Sequence, residues 1–333
     1  MTQEHPFAQY IRTLGKGKKG SRALTADEAQ HALSMILEEQ VTPEQLGAFL
    51  MLMRVKEETA EEVSGFVRAV QQHIKLPANA PEVLLDWSSY AGKRRQLPWF
   101  LLSTLTLAEN GVPVFMHGAS GHTAGRVYTK DVLKMLGFET CTSLEDACRQ
   151  IDAGNFAYLD IEYLMPKLHH IIELRPFLGL RSPVHTIARM INPFHAPYSM
   201  IGIFHPGYHP THQLAGQLLE QPHLTVIKGD GGEVERNPDM ECLAQSVHNG
   251  ALSEEVWPAM FKQRHVKDDI MDPTRLASLW RGEIQDEYAE GAITGTLAIT
   301  LKMMGKADSI ESAEQLAKDM WQARNRDKLN VAA

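Results

Sequence analysis

The feature that most constrains the fold is a change of pattern at Leu76-Pro77-Ala78-Asn79-Ala80-Pro81 in a chain of 333 residues. Before this segment the chain reads as helices. Thr25 precedes Ala26-Asp27-Glu28 at the spacing of a capping box, and Ala29, Leu33, Ile36 and Leu37 follow at helical intervals. Thr42-Pro43-Glu44 opens a second helix with Thr as N-cap and Pro in the first position, and Leu46, Phe49, Leu50 and Met53 form its stripe. Thr59 caps a third, with Glu61 and Glu62 in the first turn where the helix dipole favours acids, and with Val63, Phe66, Val67 and Val70 on the buried face.

After Pro81 the texture differs. Apolar runs at Val83-Leu84-Leu85, Val112-Pro113-Val114-Phe115, 199–204 and 224–227 alternate with helical stretches at 97–109, 129–136 and 211–220. Such alternation indicates βαβ units and a mostly parallel central sheet flanked by helices. Residues 286–324 return to helix, interrupted at Gly305. The expected organisation is a small all-α domain over 1–78 and an α/β domain over 79–333.

Hydrophobic content of 44% and charged content of 22% are ordinary for a globular chain. A net charge of −8 argues against nucleic acid contacting the surface as a whole but leaves room for a local basic patch. Cys141, Cys148 and Cys242 match no zinc spacing and suit a reducing compartment. The first twenty residues contain no apolar leader core, and no later run is long and apolar enough to span a membrane, so the expected location is cytoplasmic.

Between the first apolar run and the helix from Leu97 lies Asp86-Trp87-Ser88-Ser89-Tyr90-Ala91-Gly92-Lys93-Arg94-Arg95-Gln96. A loop that cradles a diphosphate needs glycines, because its backbone amides must approach the phosphates at positive φ. Here one glycine stands before three consecutive cations. The surrounding segments, "LTADEAQHALSMILEEQVTPEQLGAFLMLMRVKEETAEEVSGFVRAV", "VPVFMHG", "LRPFLGLRSPVHTIARMINP", "VIKGDGGEVERNP" and "GTLAITLKMMGKADSIESAEQLAKDM", closely resemble the anthranilate phosphoribosyltransferase family, which shares its fold with nucleoside phosphorylases. The resemblance implies a helical domain that takes back a segment near 163–192, a larger α/β domain, and a cleft for phosphoribosyl pyrophosphate, magnesium and anthranilate. It also implies a homodimer formed through the helical domain.

The resemblance fails where the family holds its substrate. The glycine-rich phosphate loop falls on Ser88 to Lys93. A second phosphate motif, Asn-Ile-Ser-Thr, falls on Leu97-Pro98-Trp99-Phe100, which has no side-chain hydroxyl. The Lys-His-Gly-Asn motif becomes Met116-His117-Gly118-Ala119. The acidic pair for magnesium falls near Glu233-Val234, with Asp230 and Glu235 as neighbouring substitutes. Arg175 stands where the family grips the anthranilate carboxylate, and Arg181 follows at the family spacing. His117, Arg175 and Arg181 are therefore candidates for anion binding in the cleft, and each also suits a structural role. Each lost charge-assisted phosphate contact removes roughly 1.5–3 kcal/mol, so several together remove orders of magnitude in affinity.

A YbiB-type branch of the family shows the same degeneration and is associated with nucleic acid. The resemblance to that branch, in "SSYAGKRRQ" and "GEVERNP", implies sequence-independent, salt-dependent binding of DNA or RNA through backbone contacts, with no cofactor and without ordinary transfer. The candidate contacts are Lys93, Arg94 and Arg95, with Lys16, Lys18 and Lys19 of "GKGKKGSR". Tyr90, Trp99 and Tyr128 either stack on unpaired bases or fill the core. The alternative is an active phosphoribosyltransferase for anthranilate or another acceptor, using magnesium with phosphoribosyl pyrophosphate. His195, His205, His209 and His212 have spacings a transition metal can use. Pro206 and Pro210 favour a loop there instead, with Thr211 as the cap of the next helix.

Overall fold

A computed structural model describes residues 4–329. The helices Ala8–Gly15, Ala26–Leu37, Pro43–Lys56 and Ala60–His73 form the N-terminal unit. Thr25, Thr42 and Thr59 each close a capping box, so three starts specified by local sequence stand where it puts them. Glu62 does more than cap. It is 1% exposed, and its carboxylate accepts from the Thr59 amide at 2.9 Å and from the Leu24 amide at 2.8 Å, tying two helix entries together.

The α/β unit carries strands β1 (Leu85–Ser89), β2 (Val114–Gly118), β3 (Phe156–Asp160), β4 (Tyr198–Ile203), β5 (His223–Lys228), β6 (Cys242–His248) and β7 (Ala251–Trp257). They form one seven-stranded sheet in the order β3-β2-β1-β4-β5-β6-β7. The five strands from β3 to β5 are parallel, and β6 and β7 are antiparallel. Strands β1, β2 and β3 are buried at every position, as expected of parallel strands covered on both faces. The chain runs outward from β1 through β2 to β3, then crosses to the other side of β1 to lay down β4. That reversal leaves a crevice at the carboxyl ends of β1 and β4, the usual ligand position in an open α/β sheet.

Several boundaries differ from the sequence reading. β1 starts at Leu85 and absorbs Asp86, Trp87, Ser88 and Ser89, which read as loop. Two of the polar members find partners on other elements: Ser89 with Thr129 of the helix Thr129–Met135 at 2.7 Å and Asp86 with Ser199 of β4 at 3.3 Å. The following helix spans Phe100–Glu109 rather than beginning at Leu97. The helix after β4 begins at His209, with Pro210 in its first turn, so Tyr208 and not Thr211 is its N-cap. His209 and His212 are buried on that helix, and no cluster of three or more metal-ligating side chains exists among the described residues. Leu168, Ile171 and Ile172 of the helix Pro166–Glu173 pack in the same apolar core as the N-terminal helices, and Lys167 pairs with Glu39 at 2.9 Å. Among the described residues no helix is long and apolar enough to cross a membrane.

Candidate functional site

Three segments meet at the crevice: the loop Tyr90–Gln96 after β1, the turn Gly229–Glu235 after β5, and the amino end of the helix Phe100–Glu109. Gly92 has φ +68° and supplies the bend in the first loop. A Cβ at Gly202, near the end of β4, would lie 2.3 Å from the Glu233 backbone. Glycine there lets the second segment lie against the sheet, which delivers Glu233 to the first loop.

Glu233 is 1% exposed, and its Oε1 accepts from the Ala91 amide at 2.6 Å and the Gly92 amide at 2.5 Å. Two converging backbone amides do survive in the degenerate loop, and a carboxylate of the same chain fills them. Glu235 is fully buried. Its Oε2 accepts from the Phe100 amide at 2.9 Å, at the start of the ten-residue helix, where amides and dipole favour an anion. Its Oε1 accepts from Lys93 Nζ at 2.5 Å, and Lys93 also pairs with Asp230.

Lys93 is therefore not the surface cation expected from the triplet: it is 1% exposed and held between two carboxylates. Burial alone would lower its pKa, but Glu235 and Asp230 outweigh burial and raise it, so the ammonium stays charged. Burial likewise opposes ionisation of Asp230, and Lys93 reverses the balance, holding that carboxyl below its ordinary value. Glu235 sits deepest, and burial pushes it up to about 7. Asp230 and Glu235, two of the residues the resemblance suggests for magnesium, are thus committed to an ammonium, and Glu233 gives Oε1 to amides while its Oε2 is buried without a hydrogen-bond partner. The residues present do not fit a resident magnesium ion.

Other expected site residues also fall elsewhere. His117 is fully buried within β2, 3.3 Å from Asp86 and 2.7 Å from the Tyr90 hydroxyl, so it does not reach the cleft. Tyr90, Trp99 and Tyr128 are at most 4% exposed and serve as core. Arg175 donates to the His122 carbonyl at 3.2 Å and to Thr123 Oγ1 at 2.8 Å, which ties it to the loop after β2. Lys16 and Lys19 line a separate surface depression beside Arg12 and Arg22, and Lys18 is exposed on the same loop.

Arg94, Arg95 and Arg181 do converge. With Arg126, Arg264 and Lys267 they line a cavity of about 480 Å³ that also receives Phe204, His205 and His265. Among the described residues none of these six cations is ion-paired with a carboxylate. The two acids in the lining are already engaged, Asp230 by Lys93 and Asp239 by His265 at 2.7 Å. Arg126 is steered by neutral acceptors, the carbonyls of Ala91 at 2.8 Å and Gly92 at 2.9 Å. Burial first, and then Arg175 and Arg126, lower the pKa of Arg181, the mark of cations crowded without counterions. Behind them burial, joined by Arg181, Arg189 and Arg175, pulls His122 down to about 4. Burial with His122, Arg189 and Arg181 pulls His185 down to about 3. Sequence reasoning missed Arg126, Arg264 and Lys267, because each is an isolated cation in its own segment and only the fold assembles them.

The chain matches the helical bundle domain of a glycosyl transferase family over residues 8–74 and the a/b domain of that family over residues 100–323. It is 26% identical to the anthranilate phosphoribosyltransferase of Oceanobacillus iheyensis over 307 residues, which covers 89% of each chain. It is 28% identical to the uncharacterized protein YbiB of Escherichia coli over 242 residues, covering 70% of this chain and 73% of that one. The anthranilate phosphoribosyltransferase of Saccharomyces cerevisiae in complex with PRPP and Mg has the same fold, with a TM-score of 0.76 at 16% identity over 98% of this chain and 97% of the other.

Proposed function

The chain belongs to this glycosyl transferase family, with a helical bundle domain and an α/β domain, and on that premise we propose that its cleft binds a nucleic-acid backbone without sequence preference and has lost ordinary anthranilate phosphoribosyl transfer. The observation that carries the reading is the ring of six cations without carboxylate partners around one open cavity in a chain of net charge −8. Arg126, held by carbonyls, keeps its charge free for an external anion, and guanidinium forks match phosphate oxygens. Tyr90, Trp99 and Tyr128 are buried and offer no face to a base, and Phe204 is the exposed aromatic of the lining. The contacts are then to phosphate, which positions a strand but does not read its bases. In this reading two copies associate through their helical domains and set two such clefts on one particle.

An anisotropy titration with labelled single- and double-stranded oligonucleotides of unrelated sequence tests this. Binding that weakens steeply and log-linearly with salt is expected. No binding at micromolar protein, or binding indifferent to salt, overturns the reading.

Loss of transfer is supported by the occupied amides and carboxylates, since little is left to position a diphosphate for attack at the ribose. The second reading, an active phosphoribosyltransferase, is favoured by the enzymes among the relatives and by Arg175 at the family position of the acceptor-binding arginine. Calorimetry with phosphoribosyl pyrophosphate separates the two. Magnesium-dependent affinity supports the enzyme, and heat that does not change with magnesium supports the binding protein.

A further inference from the structure

We propose that this chain carries a built-in, covalently tethered substitute for a metal–diphosphate ligand: the Glu233 and Glu235 carboxylates take the two anion positions and the Lys93 ammonium takes the cation position. The geometry consists of three linked contacts. Glu233 fills the paired amides of Ala91 and Gly92. Glu235 accepts from the Phe100 amide at the helix amino end. Lys93 Nζ bridges Glu235 and Asp230, where a divalent cation would otherwise link a phosphate to a carboxylate.

The charges are complementary in kind. Anions lie on amides and a helix start, and a cation lies between acids, each group as the ligand it replaces would require. Lys93, Glu233, Glu235 and Phe100 are at most 1% exposed. A free ligand therefore has no route in except by displacing a side chain of the protein itself. Such a plug ties the loop after β1 to the turn after β5 and to the helix Phe100–Glu109 in one arrangement. In that arrangement the cations around the adjoining cavity are held in place without any bound small molecule. The proposal concerns the plug alone and holds whether or not the cavity binds nucleic acid.

The test removes the tethered cation. Lys93→Ala leaves Asp230 and Glu235 facing each other across a space the size of a lysine side chain. Mn2+ alone is the probe, read by electron paramagnetic resonance and by the shift in thermal midpoint. The proposal expects Lys93→Ala to bind Mn2+ at least about tenfold more tightly than the parent chain. It also expects Mn2+ or methylammonium to restore part of the lost thermal stability. In alkaline buffer without added cation the double variant Lys93→Ala/Glu235→Gln is expected to be more stable than Lys93→Ala, because Glu235 without its ammonium ionises there as an uncompensated buried charge, and the double variant is expected to bind no Mn2+. A folded Lys93→Ala chain that responds to neither cation overturns the proposal. If Lys93→Ala does not fold, a double variant no more stable than the single one overturns it instead, since Glu235 is then no charged partner of Lys93. Tight Mn2+ binding by the parent chain, unchanged in Lys93→Ala, also overturns it.

Discussion

Glu233 closes its carboxylate on the Gly92 amide at 2.5 Å, from a position 141 residues further along the chain. The contact exists only because Gly92 holds φ +68°, which turns its amide and that of Ala91 toward one point. Two features of Gly92 resist substitution. A left-handed backbone strains any other residue, and a Cβ there would lie 2.9 Å from the Tyr128 ring. Gly92→Ala is expected to destabilise the chain by about 1–3 kcal/mol, measured as a lower urea midpoint with an unchanged slope. A midpoint equal to the parent's would show that the bend is not strained.

The helical unit offers a sharper stability test. Glu62 satisfies the Thr59 and Leu24 amides from a position that is 1% exposed. Glu62→Ala removes a partner from each at once, and an unsatisfied buried donor costs about 1–3 kcal/mol. Glu62→Gln keeps one acceptor oxygen, so it is expected to lose less than Glu62→Ala. Equal losses for the two variants in chemical denaturation would mean that charge, not hydrogen bonding, carries the effect.

How much of this was legible in the sequence follows from how local each signal is. The capping boxes at Thr25, Thr42 and Thr59 involve residues three apart, and the sequence displays them whole. The family resemblance likewise marks the βαβ order and the crevice. Lys93 shows the limit. Its neighbours Arg94 and Arg95 are exposed, and nothing within several residues distinguishes it from them. Its partners Asp230 and Glu235 lie 137 and 142 residues away, so its burial is decided by the turn after β5. The end of β1 is hidden for a related reason: Asp86, Ser88 and Ser89 look like loop residues until Ser199 and Thr129 supply hydrogen bonds to two of them from other elements. Arg126 and Arg264 lay in no recognisable motif. Their relation is to one cavity, and only the folded chain defines it.

The cationic cavity predicts a graded response in binding. Arg181→Ala and Arg126→Ala each remove one guanidinium from the lining. Each is expected to weaken oligonucleotide binding to a similar extent for all sequences and to reduce the slope of log affinity against log salt by about 1. Lys93→Met changes no lining residue but leaves the lining carboxylate of Asp230 without its ammonium, so it is expected to weaken binding at every sequence. Anisotropy over a salt series checks all three. An unchanged slope in both arginine variants would place the binding face elsewhere, with the exposed Lys16, Lys18 and Lys19 as the next surface to test.

Behind the cavity, His185 gives the fold a dependence on pH with a defined sign. Burial, reinforced by His122, Arg189 and Arg181, lowers its pKa from 6.5 to about 3. The unfolded chain takes up the proton near pH 6.5 and the folded chain refuses it until about 3, so over that window unfolding binds a proton. The contribution of the neutral imidazole is therefore complete above pH 6.5 and declines steadily as pH falls toward about 3. His122, lowered to about 4 chiefly by burial, adds to the same limb. His185→Gln retains a group able to meet the Ser182 carbonyl but has no proton to take up. It is expected to flatten the fall in thermal midpoint between pH 6.5 and the acid end, while changing the midpoint above pH 7 by much less. A parallel shift of the whole curve would assign His185 a packing role alone and leave the acid sensitivity to His122 and the carboxylates.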